Sequence, residues 1–275
     1  MTVPPRPLTF SAVDGLGFAA ASGNIDAAEQ SGPYLPRDLG PFLELFHSVS
    51  SGHLPLPRRG SWIIRDGEAP LVAALQEDRE LWVNPGDRHT GFIRALRGEP
   101  DGDSRLIAFL MDAKRAARDI TCLPGTTPGQ LAAAMQEMES NIHEHSDAPS
   151  TGLLAFRAAP DVFEFVVLDQ GIGLLESLKR CDAYAGMTHH GKALEMALAD
   201  GTSRFGAGVK RGHGFRPIFL GLANLRGSLR FRSGDYALTM DGTSPRLVAA
   251  QLAQKPPLVG FFASICCYSS LVKQS

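Results

Sequence analysis

The segment Phe163-Glu164-Phe165-Val166-Val167-Leu168-Asp169-Gln170-Gly171-Ile172-Gly173 constrains the fold most. Its aromatic and β-branched run predicts a buried strand. The run ends in Asp169 and then two spaced glycines, Gly171 and Gly173. A strand therefore delivers a carboxylate to a turn where the backbone must bend or be closely approached. Such an Asp can accept a hydrogen bond from an exocyclic amine such as that of adenine. Asp-Gly turn chemistry is the plainer use of the same residues. The preceding stretch from Gly152 to Ala159 pairs with Val162 to Leu168 as a predicted hairpin.

Upstream, Leu131, Ala134, Met135 and Met138 recur at helical spacing, and Thr127-Pro128 opens the helix they predict. Glu137 and Asn141 are four residues apart and share one face of it. A carboxamide oxygen there can ligate Mg²⁺, which prefers hard oxygen donors. A carboxylate can orient or deprotonate an attacking water or hydroxyl. A solvated helix face is the alternative use of this pair. Downstream, Gly206 to Phe215 is a glycine-rich, basic loop that includes Arg211, Gly212, His213 and Gly214, and it precedes the apolar run Ile218 to Leu225. Free N–H groups where such a loop opens a helix suit phosphate oxygens. A surface loop is the alternative.

In this order the three segments resemble the N-box, G1 box and G2 box of the GHKL ATPase superfamily, which groups gyrase, chaperone, histidine-kinase and MutL-type ATPases. Glu137 and Asn141 meet the N-box pattern, and His145 stands where that family often has His or Tyr. Asp169, Gly171 and Gly173 meet the G1 pattern, and Gly212 and Gly214 match the G2 glycines. The resemblance covers roughly residues 105 to 268. It implies Asp169 for adenine, Asn141 for Mg²⁺ and Glu137 as catalytic base. His145, Gly171, Gly173, Arg211, Gly212, His213 and Gly214 complete the implied nucleotide site, with Cys181 to Lys210 as an ATP lid. ATP and Mg²⁺ are the implied cofactors. The implied activity is that of a signalling kinase of anti-sigma, partner-switching type or of an ATP-gated switch, with a protein partner or substrate. The family also allows a homodimer. Three positions depart from the pattern. Glu144 stands where histidine kinases often carry Lys, which shifts the source of positive charge to Arg204, Lys210 or Arg211. Phe215 replaces the usual Leu, and Phe261 replaces a frequent Thr.

Two other readings differ from this one. A histidine-kinase relative would need a phosphoacceptor helix pair before the ATP domain. The N-terminal part is rich in proline, and Phe46-His47-Ser48 lacks the flanking charges of an H-box. An interaction module would bind nucleotide without turnover or not at all. Gly171-Ile172-Gly173 lacks the third glycine of a dinucleotide fingerprint, and no P-loop pattern occurs.

Composition excludes other classes. The 275 residues carry a net charge of -2, so no basic field suits nucleic acid. No apolar run is long enough to cross a bilayer, and residues 1 to 7 show no signal-peptide core. Cys122, Cys181, Cys266 and Cys267 have no zinc spacing and read as reduced thiols of a cytoplasmic protein. His143, His145, His189 and His190 form no recognisable ligand set.

From Ser104 onward, helices alternate with antiparallel strand pairs, which predicts an α+β, two-layer α/β sandwich. The resemblance makes it the Bergerat-type ATP-binding fold. Predicted helices cover Leu106 to Ile120, Leu174 to Cys181 and Lys192 to Ala199. Predicted strands cover Gly227 to Gly234 and Phe261 to Cys267. Residues 1–104 form a separate N-terminal region of unrecognised, mixed α/β fold and unknown role, and residues 105–275 form the ATP-binding domain. Gly98 to Asp103 is the linker. The N-terminal region has predicted helices over Pro41 to Val49 and Pro70 to Gln76, and predicted strands at Ser61 to Ile64 and Glu80 to Val83. Trp62 and Trp82 read as core or hairpin packing, with a ligand or partner surface as the alternative.

Overall fold

The computed structural model describes residues 4–24, 32–55, 69–95, 103–198, 227–240 and 250–269. Seven α-helices occur among them: α1 (Phe10–Ala21), α2 (Leu39–Ser50), α3 (Ala69–Gln76), α4 (Ser104–Asp119), α5 (Thr127–His145), α6 (Gly173–Lys179) and α7 (His190–Leu198). The strands are β1 (Arg6–Leu8), β2 (Tyr34–Pro36), β3 (Leu81–Val83), β4 (Thr90–Arg94), β5 (Leu153–Ala159), β6 (Val162–Asp169), β7 (Gly227–Met240) and β8 (Gln251–Tyr268). The fold is α+β. Strands β1 and β2 form a small parallel pair. The other six form one antiparallel sheet in the order β3-β4-β5-β6-β8-β7.

Alternation along the strands divides their side chains between two faces. On β6, Phe163, Phe165 and Val167 enter one core, while Val166 and Leu168 enter another. The first core lies under α4 and α5. Helix α4 contributes Leu106, Phe109, Leu110 and Ala113, the face its sequence predicts, and leaves Lys114, Arg115 and Arg118 exposed. Helix α5 adds Leu131, Met135, Met138 and Ile142. Phe109 and Phe156 meet at 5.2 Å between ring centroids.

The second core lies under α1, α2 and α3 and takes Phe92, Leu153, Ala155, Val166 and Phe262 from the sheet. A two-layer sandwich is the expectation after residue 104; the N-terminal helices add a third layer on the sheet's other face. Strands β3 and β4, which precede residue 104, pair within the same sheet as β5. Trp82 is buried and stacks on Phe92 at 6.1 Å. Trp62 and the strand expected at Ser61 to Ile64 lie outside the described residues.

Two contacts explain how closely α2 approaches the sheet. The Leu39 N–H at its start donates to Glu164 Oε2 at 2.7 Å, so a carboxylate from β6 satisfies an orphan donor of the first turn. A Cβ at Gly40 would lie 2.7 Å from Phe10 Cζ and would also collide with Ser264, so only glycine fits there.

A buried ionic cluster completes this layer. Arg230 Nε lies 2.7 Å from Glu44 Oε2, and its Nη2 lies 2.5 Å from Asp14 Oδ1. Arg232 Nη1 lies 2.6 Å from Glu44 Oε1, and Lys255 Nζ lies 2.8 Å from Asp14 Oδ2. Glu44 is 0% exposed and Arg232 is 2% exposed. Burial alone would lower the Arg230 pKa, but Glu44 and Asp14 hold it above its ordinary value. Among the described residues, no helix is long and apolar enough to cross a membrane.

Candidate functional site

Asp169 is the last residue of β6, pairs with Phe261 of β8 and is buried. Among the described residues its carboxylate accepts one hydrogen bond, from the Gly171 N–H at 2.8 Å. Burial pushes its pKa up to about 6, and the single Gly171 bond only partly offsets this. A buried carboxylate with so little compensation has unused acceptor capacity.

Hydrogen bonds hold the turn after Asp169 at Gln170, Gly171, Ile172 and Leu174. Gln170 N–H donates to Thr151 Oγ1 at 2.9 Å, and Ile172 N–H donates to the Ser146 carbonyl at 2.9 Å. Leu174 N–H donates to Ser233 Oγ at 2.9 Å, and that hydroxyl donates to the Gly260 carbonyl at 2.9 Å. The glycines have a physical role here. A Cβ at Gly171 would strike the Ser146 carbonyl, and Gly173 has φ +73° with Ser233 Oγ 2.8 Å from where a Cβ would be. The spaced glycines thus let the turn pass between the end of α5 and the strands β7 and β8. The Gln170, Gly171, Ile172 and Leu174 amides are already used within the protein, so the turn's free acceptor capacity resides in Asp169.

Helix α5 ends at His145, and its cap Ser146 is the residue that the turn bonds. The Asp169 turn and the C-terminal end of α5 are therefore neighbours. Glu137, Asn141 and His145 recur at four-residue spacing on α5 and are all half-buried. His145 Nδ1 lies 3.4 Å from Ser177 Oγ of α6, so the C-terminal end of this stripe faces the helix that follows the glycines. Among the described residues, the Glu137 and Asn141 side chains form no hydrogen bond or ion pair. Glu144, the departure from the kinase pattern, is exposed.

Arg211, Gly212, His213 and Gly214 lie outside the described residues, as do Arg204, Lys210 and Phe215. Of the expected lid, the turn Asp182–Tyr184 and helix α7 are described, and residues 199–210 are not. Phe261 packs edge-on against Phe231 at 4.8 Å.

Sequence reading does not single out Ser146, Ser233 or Gly260, which build the seat of the turn. One signal is present: an isolated glycine inside an apolar strand, as in Val259-Gly260-Phe261, marks a close approach of backbone. Gly260 has φ +68°, and a Cβ there would strike the Asp169 carbonyl. Sequence reading also passes over Glu139. It is buried beside His143, whose Nε2 lies 2.9 Å from its Oε1. Burial pushes the Glu139 pKa up, and the His143 contact offsets part of that.

No protein-family model, no curated protein and no solved structure matches this chain.

Proposed function

We propose that this chain binds Mg-ATP at the junction of α5 and the Asp169 turn, and that it acts as a signalling protein. Its activity is phosphoryl transfer of the anti-sigma, partner-switching kinase type, or ATP-gated switching of a protein partner. One observation carries the reading. A buried, under-compensated carboxylate on a glycine turn is seated against the end of a helix whose Glu137 and Asn141 side chains have no partner among the described residues.

The donor set fits the implied groups. Asp169 offers an acceptor to the adenine amino group. Asn141 offers a neutral oxygen for Mg²⁺, and Glu137 offers a carboxylate for proton abstraction. Among the described residues, no group of three or more His, Cys, Asp or Glu could hold a metal ion. Mg²⁺ carried on nucleotide phosphates needs only one or two protein oxygens. When bound, it would neutralise phosphate charge. Glu137 then positions or deprotonates the attacking hydroxyl or water, and Asp169 fixes the base. The histidine-kinase alternative is weakened by one finding: His47, its candidate acceptor, is 0% exposed.

Calorimetry of ATP with and without Mg²⁺, run beside a turnover assay, tests the proposal. Asp169→Asn is expected to weaken ATP binding by about 1.5–3 kcal/mol, the worth of a charge-assisted hydrogen bond. Glu137→Ala is expected to leave affinity nearly intact and to slow turnover by about 10²–10⁴-fold. Unchanged affinity in a folded Asp169→Asn protein sinks the adenine assignment. Wild-type turnover in Glu137→Ala removes Glu137 as base.

A further inference from the structure

We propose that helix α2 of the N-terminal layer sets the position of the Asp169 turn, with His47 and Ser50 as positioning residues. The proposal rests on reading that turn as the nucleotide site.

His47 is completely buried on α2, and its Nε2 lies 2.8 Å from the Val259 carbonyl. A carbonyl can only accept, so the ring proton sits on Nε2 and Nδ1 is bare. Nδ1 is buried and has no hydrogen-bond partner among the described residues. A phenylalanine would fill similar space without that orphaned nitrogen. What the imidazole adds is its bond to Val259. The next residue, Gly260, holds the left-handed conformation that lets it back onto the Asp169 carbonyl, and its own carbonyl accepts from Ser233. His47 therefore anchors the strand segment against which Asp169 rests.

One helical turn later, Ser50 reaches the same turn directly. Its Oγ donates to the His47 carbonyl at 3.0 Å and accepts from Gln170 Nε2 at 2.8 Å. Gln170 stands between Asp169 and Gly171. A single turn of α2 thus reaches the Asp169 turn by two routes, through Val259 and Gly260 and through Gln170. The rest of α2 is locked to the sheet by Leu39 on Glu164 and by Glu44 on Arg230 and Arg232. Anything that shifts α2 along the sheet strains these bonds and moves Asp169 relative to α5. The N-terminal region is thereby the frame of the site and the route by which a signal would reach it.

Two measurements on the full chain test this: hydrogen exchange at the Gly171 and Ile172 amides without nucleotide, and ATP affinity by calorimetry. His47→Phe is expected to speed exchange and to weaken ATP binding, each by about tenfold, as loss of one buried hydrogen bond implies. His47→Gln keeps a donor and is expected to restore most of both. Ser50→Ala is expected to move both by about threefold. Leu75→Ala, buried in the same layer on α3 beside Arg94 of β4, is the control for general loosening. Equal effects in Leu75→Ala and His47→Phe overturn the proposal, as does unchanged exchange in folded His47→Phe and Ser50→Ala. If His47→Phe does not fold, Ser50→Ala alone decides. If wild-type protein binds no ATP while exchange responds as expected, the nucleotide reading fails and the positioning role stands. If all variants bind ATP like wild type with unchanged exchange, the reverse holds.

Discussion

The two faces of the sheet are built from different chemistry. Under α4 and α5 the centre of the core is apolar, built from Phe109, Met135, Met138, Phe156, Phe163 and Phe165, and the buried carboxylates of these helices, Asp112 and Glu139, meet Arg88 and His143. Under α1 and α2 an apolar core is shared with buried charges: Asp14, Glu44, Arg230 and Arg232, with Lys255 at the margin. The apolar face holds its helices by area, without direction. The charged face holds them by direction, because each carboxylate must meet named donors or remain an uncompensated charge. The layer whose α2 bonds Val259 and Gln170 is the directional one.

The largest expected effect would break this contrast directly. Glu44→Ala leaves Arg230 and Arg232 buried without their shared carboxylate, and it should cost about 3–5 kcal/mol of folding stability. Denaturant unfolding checks this. A loss below about 1 kcal/mol, the scale of an exposed ion pair, would make the cluster incidental.

Asp169 gives an intermediate effect with a pH signature. Its folded pKa is about 6, above the ordinary unfolded value of about 3.9. The protonated acid is tolerated below the unfolded pKa, and that stability is lost as pH rises through about 6. Asp169→Asn should therefore stabilise the protein by on the order of 2–3 kcal/mol at about pH 8 and by nothing near pH 3. Stability curves at the two pH values, together with ATP affinity, check this. A destabilised Asn variant at the higher pH would make the carboxylate a structural element of the fold, not a cost carried for ligand binding.

The smallest expected effect sharpens the contrast at the closest approach of helix to sheet. Gly40→Ala forces α2 away from Phe10 and Ser264 and should cost about 1–3 kcal/mol. Thermal melts measure the cost. Faster exchange at Gly171 in the same variant would link the approach of α2 to the turn.

Much of the apolar face is legible in the sequence because its signals are local. The helical spacing of Leu106, Phe109, Leu110 and Ala113 matches the buried face of α4, and the run into Asp169 matches β6. The helices at Leu39–Ser50 and Ala69–Gln76 fall close to the predicted spans. Helix α1 is not legible in the same way. Its small residues and two interior glycines, Gly15 and Gly17, give a weak periodic signal, and packing against α2 and β8 supplies what propensity does not. Strand β4 is only five residues long and is fixed by its neighbours β3 and β5.

Hydrophobic period and turn chemistry act over a few residues, so the helix of Glu137 and Asn141, the strand that presents Asp169 and the glycines that follow it can all be read along the chain. What those glycines pass between, which side chains seat the turn, and the closing of the sheet's second face by the N-terminal helices follow from the packed fold alone. Glu44 meets Arg230 across 186 positions and Asp14 meets it across 216. Pairings at that separation depend on strand order and register, and a charge pattern read along the chain carries neither.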